Sequence, residues 1–267
     1  MSKDTDALGD RMKSYEASST HRIAFKGLPI VARLDGKCFS KFTKNLARPF
    51  DKRLTTLMTD ITKQLVDEFG AQCGYTQSDE ITLVWYVPSD SKSEYPFAGR
   101  LQKFESILAA TASAFMTRHI GRLIPEKAES IPVFDCRAFT VPNKQEAVNC
   151  LIWRQQDCTK NAISMAATTL LGHKACMNKS GPEKQELMFT KAGVNFNDYP
   201  ASFKRGVFVR RVKDIRQLSP ERLAEIPVEY RPTQPVLRTF IDVEDIWLTK
   251  QIDPIGVIFD GSKVVVV

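Results

Sequence analysis

The chain has 267 residues, 43% of them apolar and 26% charged, which supplies enough apolar material for a folded globular core and argues against disorder as the main state. No run approaches the ~20 consecutive apolar residues of a membrane-spanning helix, and no apolar segment follows Met1–Asp6, so neither a membrane protein nor a secretory signal is expected. The formal charge of +7 is spread over both halves of the chain, which excludes a simple basic tail and suits a polyanionic partner.

In chain order, Leu8, Met12 and Tyr15 predict a short amphipathic helix over residues 3–18. Residues 29–35 form a compact apolar run ended by Asp35-Gly36, read as a buried strand that delivers a carboxylate at its end. Asp51 is a good N-cap, and Leu54, Leu57, Met58, Ile61, Leu65, Val66 and Phe69 recur at helical steps, so 51–69 is a helix stopped by Gly70. Residues 71–76 and 80–87 are β-prone and close together, which implies a hairpin with Ser78 and Asp79 near its turn. A helix over about 98–120 and a strand over 132–141 follow. Strand, helix, strand, strand, helix, strand is the split βαβ, or ferredoxin-like, order of an α+β fold, with the first and third strands side by side.

The second half reads as a helical and β-strand extension. It has a long helix over 144–172, a loop over 178–182, a short helix near 183–191, a strand around 206–212 and a last β-prone run over 236–243. Two units are expected, 1–142 as core and 143–267 as extension, packed together. The cysteines (38, 73, 136, 150, 158, 176) and His21, His119 and His173 are scattered without zinc-ligand spacing and read as reduced thiols of a cytoplasmic protein. Lys204, Arg205, Arg210, Arg211, Lys213 and Arg216 face only Asp214 within 203–216, a candidate polyanion patch.

The strand order brings Asp35 and Asp79 together. Each has an ordinary role, Asp35 closing a turn and Asp79 capping a hairpin. As a pair on adjacent central strands they would repel unless a cation lies between them. Mg²⁺ suits such a site because it takes hard oxygen ligands completed by water and phosphate. A pair of ions serves phosphoryl or nucleotidyl transfer. Gly36, lacking a side chain, leaves its carbonyl free to join the cluster.

These residues carry a resemblance. Arg33-Leu34-Asp35-Gly36 with Phe39 and Phe42, then Gln77-Ser78-Asp79-Glu80, resemble the two motifs of the tRNA-histidine guanylyltransferase family. Colinear matches continue through Ala47-Arg48-Pro49, Phe134-Asp135 with Arg137, Trp153-Arg154-Gln155 with Asp157-Cys158, Lys184 with Glu186-Leu187, Asn195-Phe196-Asn197 and Lys204-Arg205-Gly206, covering about residues 25–212. The resemblance implies a polymerase-palm-like core and addition of nucleotides to the 5′ end of tRNA, in the 3′-to-5′ direction. The 5′-monophosphate would be activated with ATP, the 3′-hydroxyl of GTP would attack, and pyrophosphate would be removed.

Carried onto this chain, the resemblance implies two Mg²⁺ ions on Asp35, Gly36 and Asp79, with Asp35, Asp79 and Glu80 catalytic. Nucleotide contacts fall to Arg33, Lys37, Cys38, Phe39, Arg48, Ser78, Arg100 and Lys103. tRNA contacts fall to Lys184, Asn197, Lys204, Arg205, Arg210 and Arg211. A homotetramer is the family's habit. Arg48 stands where a lysine is expected. Asp157-Cys158 is followed by Thr159-Lys160-Asn161-Ala162-Ile163-Ser164-Met165, where members acting on histidine tRNA carry a histidine and a polar series. That departure resembles the branch that repairs 5′-truncated tRNAs. Alternatives are strict action on histidine tRNA, a nucleotide cyclase, which would want a glycine-glycine hairpin, and an RNA-binding module, which would want aromatics on the central strands.

Overall fold

The computed structural model describes residues 7–266. Its helices are α1 (Ala7–Thr20), α2 (Phe39–Phe42), α3 (Lys52–Glu68), α4 (Leu101–Leu123), α5 (Lys144–Leu171), α6 (His173–Cys176), α7 (Gly181–Ala192), α8 (Ala201–Arg205), α9 (Pro220–Ala224) and α10 (Pro254–Phe259). Its strands are β1 (Ile30–Gly36), β2 (Cys73–Gln77), β3 (Glu80–Trp85), β4 (Phe134–Thr140), β5 (Val207–Arg216) and β6 (Val236–Glu244). They form one sheet in the order β4-β1-β3-β2-β5-β6, with every neighbouring pair antiparallel. The first four strands have the split βαβ arrangement of an α+β fold, with β1 beside β3 as the element order requires.

The central strands are largely buried because both faces of the sheet are covered. On one face Ile30, Ala32, Leu34, Ile81, Leu83 and Trp85 pack with Leu57, Ile61, Phe104 and Leu108 of α3 and α4. On the other, Val31, Tyr75, Val84 and Phe208 pack with Ala147, Val148 and Leu151 of α5 and Val257 and Ile258 of α10. Helix α3 starts where the sequence indicates, with the Asp51 carboxylate accepting from the Arg53 amide at 2.9 Å. In the β2–β3 hairpin Gln77 pairs with Glu80, leaving Ser78-Asp79 as a two-residue turn with Ser78 at φ 51°.

Several boundaries differ from the sequence reading. Strand β5 runs to Arg216, because β6 pairs along its whole outer half, and through β2 it joins the core sheet. Ser180 caps α7 with a reciprocal Glu183 contact, so this helix starts inside the expected loop. Residues 3–6 of the first expected helix lie outside the described residues. Within α1, Leu8, Met12 and Tyr15 are exposed instead of packed. Gln155 fastens the C-terminal segment to α5. Its amide donates to the carbonyls of Ile246 (2.8 Å) and Arg205 (3.2 Å), and its oxygen accepts from the Leu248 amide (2.9 Å). All six cysteines are free, and no helix of the described residues is long and apolar enough to cross a membrane.

The basic stretch 203–216 is not the open patch that its sequence suggests. Arg210 is 2% exposed, paired with Glu244 and donating to the carbonyls of Val257 (2.6 Å) and Ser262 (3.1 Å). Arg205 is bound to Asp245 at 2.9 Å, Arg211 lies 3.7 Å from Asp67, and Arg216 is held by Asp214 and Asp242. Alternation along β5 turns Arg210 inward beside Phe208, and acids of β6, of α3 and of the residue after β6 lie against it and its neighbours. Arg210 is therefore a buried structural cation, and its expected place among the tRNA contacts is corrected. Arg210→Ala strands the Glu244 carboxylate and two carbonyls, so a loss of about 3–5 kcal/mol in unfolding free energy is expected, read by urea denaturation.

Candidate active site

The end of β1 and the hairpin turn meet by backbone pairing. Asp35 lies opposite Glu80, and the Gly36 amide donates to the Asp79 carbonyl at 3.2 Å. Asp35 shares with Val31 the sheet face under α5. The Asp79 carboxylate accepts from the Ser78 hydroxyl at 2.9 Å. Burial pushes its pKa up, the Ser78 hydrogen bond opposes that shift, and the nearby Asp35 charge adds to it. Neither acid is in an ion pair among the described residues, so their mutual repulsion is unrelieved. A Cβ on Gly36 would lie 2.3 Å from the Phe39 ring, so packing as well as an accessible carbonyl calls for glycine there.

The two acids open into a cleft of about 830 Å³. The segment from Thr43 to Phe50 forms one wall, and Arg154, Asp157, Asn161, Ser164 and Met165 of α5 form the other. Phe50 stacks on Phe203 with ring centres 4.7 Å apart, closing one side. Steps of three and four along α5 place its polar groups on one stripe, a signal present in the sequence that the motif reading did not use.

Glu80 starts β3 beside the two acids and is held in an ion pair. Both of its oxygens accept from the Arg154 guanidinium, at 2.6 and 2.8 Å, and Arg154 also donates to Asp157 at 2.9 Å. Burial raises the Glu80 carboxyl while Arg154 pulls it down. The permanently charged guanidinium keeps the pair ionic. Glu80 thus anchors α5 to the sheet beside the acids while lining the same cleft.

The expected nucleotide contacts divide. Arg48 is exposed on the cleft wall and Ser78 lies at its floor. Lys37 and Cys38 are exposed just beyond Gly36. The Phe39 side chain is buried against Phe42 and Phe134, so it packs the site from behind. Arg33 lies 5.5 Å from the Trp153 ring centre, beneath α5 and outside the cleft lining. Arg100 and Lys103 are not brought to this cleft. They start α4 beside residues 22–24, where Leu101 donates to the Arg22 carbonyl and Ala24 to that of Gly99. That is the Ile30–Trp85 end of the sheet, opposite the acids. Of the expected tRNA contacts, Lys184 donates to Ser164 on the cleft wall at 3.0 Å. Asn197 is exposed, and its carbonyl accepts from Lys204. Arg205 and Arg211 are engaged by acids, as above.

Comparison with known proteins decides the family. The family model described as tRNAHis guanylyltransferase matches residues 9–142. The chain belongs to the tRNA(His) guanylyltransferase family. It is 29% identical over 216 residues to the tRNA(His) guanylyltransferase of Neurospora crassa, covering 75% of this chain and 72% of that one. A bacterial tRNA(His) guanylyltransferase-like protein solved with ATP superposes with a TM-score of 0.72 at 34% identity, over 76% of this chain and 88% of the other. One solved with GTP gives 0.69 at 30% identity, over 90% and 92%. The chain is therefore a nucleotidyltransferase of the tRNA guanylyltransferase type with this family's palm-like core.

The raised Asp79 pKa fixes the sign of a stability effect. The folded state holds this proton more tightly than the unfolded chain, so stability contributed by Asp79 is present below the ordinary carboxylate pKa and lost as pH rises through the folded value. Asp79→Asn is expected to melt higher than the unsubstituted protein at pH 7 in chelator, with the gap narrowing on acidification, read by thermal unfolding across pH.

Proposed function

We propose that the protein adds GTP-derived nucleotides to the 5′ end of tRNA after ATP activation of a 5′-monophosphate, in template-directed repair of 5′-truncated tRNAs. The observation that carries this reading is the unneutralised pair Asp35 and Asp79 at the floor of a nucleotide-sized cleft. Two half-buried, mutually repelling carboxylates beside a glycine carbonyl fit hard divalent cations. In this reading Asp35, Gly36 and Asp79 would hold two Mg²⁺ ions, which when bound supply charge stabilisation to the attacking and leaving oxygens.

The chain's own groups do the rest. Arg48 presents a guanidinium to phosphate from the cleft wall. Ser78 orients the Asp79 carboxylate, and the Arg154–Glu80 pair holds α5 at a set distance from the floor. Lys184, placed on the wall through Ser164, and the Asn197–Lys204 pair serve the RNA. Thr159 to Met165 stand where members acting on histidine tRNA carry their histidine and polar series, which favours repair over strict histidine-tRNA action. ATP and GTP in the two similar bacterial structures support both nucleotides as substrates. Assembly as a homotetramer in the cytoplasm belongs to the same reading.

The test uses a 5′-truncated, 5′-monophosphorylated tRNA with ATP, GTP and Mg²⁺. The unsubstituted protein is expected to lengthen the 5′ end opposite the 3′ strand. Asp79→Ala should cut the rate by on the order of 10²–10³ or more, since several kcal/mol of charge stabilisation is lost at tenfold per 1.36 kcal/mol, while RNA affinity is nearly kept. Full activity in that variant overturns the metal assignment. Addition of a single unpaired guanosine only to histidine tRNA moves the function to the strict alternative.

A further inference from the structure

Where charge along the sequence is densest, the arginines are already matched by acids. Between Gly36 and Asp51 the chain carries Lys37, Lys41, Lys44 and Arg48 and no acidic residue. All four are exposed, and none is in an ion pair among the described residues. Lys127 joins them across the fold. Its ammonium donates to the Lys44 carbonyl at 3.0 Å and lies 5.6 Å from the Phe42 ring centre. Glu126, next to it, is spent on Arg53 at 2.6 Å. In the 203–216 stretch, by contrast, the arginines are matched by Asp67, Asp242, Glu244 and Asp245.

The position of this segment distinguishes its ligand. Thr43, Leu46, Ala47 and Arg48 line the cleft, whereas Lys41 and Lys44 are outside its lining. A mononucleotide held at Asp35 and Asp79 fits within about 830 Å³ and has no further phosphates for the rim. A polynucleotide whose 5′ end enters the cleft must pass over that rim. Unpaired, well-solvated lysines there gain by replacing the counterions of successive phosphates.

We infer that Lys41, Lys44 and Lys127 form a backbone-reading surface for the phosphodiester chain of the RNA acceptor stem next to its 5′ end. This deepens the proposed function and rests on it for the identity of the polyanion. The contacts are to phosphate, so they set register at the carboxylates without reading sequence.

The experiment measures binding of a 5′-monophosphorylated acceptor-stem hairpin as a function of salt, beside Mg-GTP binding and 5′ addition. The proteins compared are the unsubstituted chain, the double variant Lys41→Ala/Lys44→Ala, and Lys213→Ala in the ribbon. All three positions are exposed, and far-UV circular dichroism and melting confirm the fold. The double variant is expected to lose roughly tenfold in hairpin affinity near 0.1 M salt, with the log–log salt slope reduced by about two. Its Mg-GTP affinity should be unchanged, and Lys213→Ala should match the unsubstituted protein. Unchanged hairpin affinity and slope in the double variant overturn the inference. So does a loss of GTP binding without loss of hairpin binding, which would assign the lysines to the triphosphate. If the unsubstituted protein adds nothing to any 5′ end, the proposed activity fails, and the binding arm still decides whether this rim holds RNA.

Discussion

Two carboxylates are held close to each other by backbone geometry that gives them no choice. The antiparallel register sets Asp35 against Glu80, and the amide of Gly36 closes on the carbonyl of Asp79. Because β1 and β3 are central strands sandwiched between helices, relaxing that repulsion would mean disturbing packing on both faces. The charge conflict is thereby stored in a rigid frame, which is what a site for divalent cations and polyphosphates needs. Stability is given up locally for the sake of chemistry.

The third acid at this sheet end shows how finely the burden is distributed. Glu80 is adjacent in sequence to Asp79 and faces Asp35, yet Arg154 takes both of its oxygens. Helix α5 thus does two things at once. It neutralises the acid that would otherwise overload the floor, and it presents Asn161 and Ser164 about two and three turns onward to the cleft. Gln155, the next residue, ties the same helix to the C-terminal segment, so the wall of the site and the outer half of the sheet are positioned by consecutive side chains.

The same principle governs the outer surface. A count of lysines and arginines picks out 203–216, but charge density along a chain predicts a binding surface only if no acid folds back onto it. Strand β6 folds back, and its acids and those beside it cancel most of the ribbon's arginines. The segment after Gly36 is a short helix and a loop outside the sheet, no acid pairs with its cations among the described residues, and they stay available. Arg100 and Lys103 are kept from this chain's own cleft for another reason: helix α4 starts at the opposite end of the sheet.

Local information settled much of this protein. Periodicity marked α3 and α5, the apolar runs marked β1 and β3, and the strand order alone placed Asp35 beside Asp79, because antiparallel pairing and right-handed crossovers leave few alternatives. Two short motifs were enough to point to the family. Which charges remain charges in solution was decided only by tertiary structure, since Arg210, Glu80 and the lysines after Gly36 are chemically alike in sequence to groups with opposite fates. Side-chain type and spacing are properties of a single segment. Neutralisation depends on which distant segment arrives opposite, and that is a property of the folded chain.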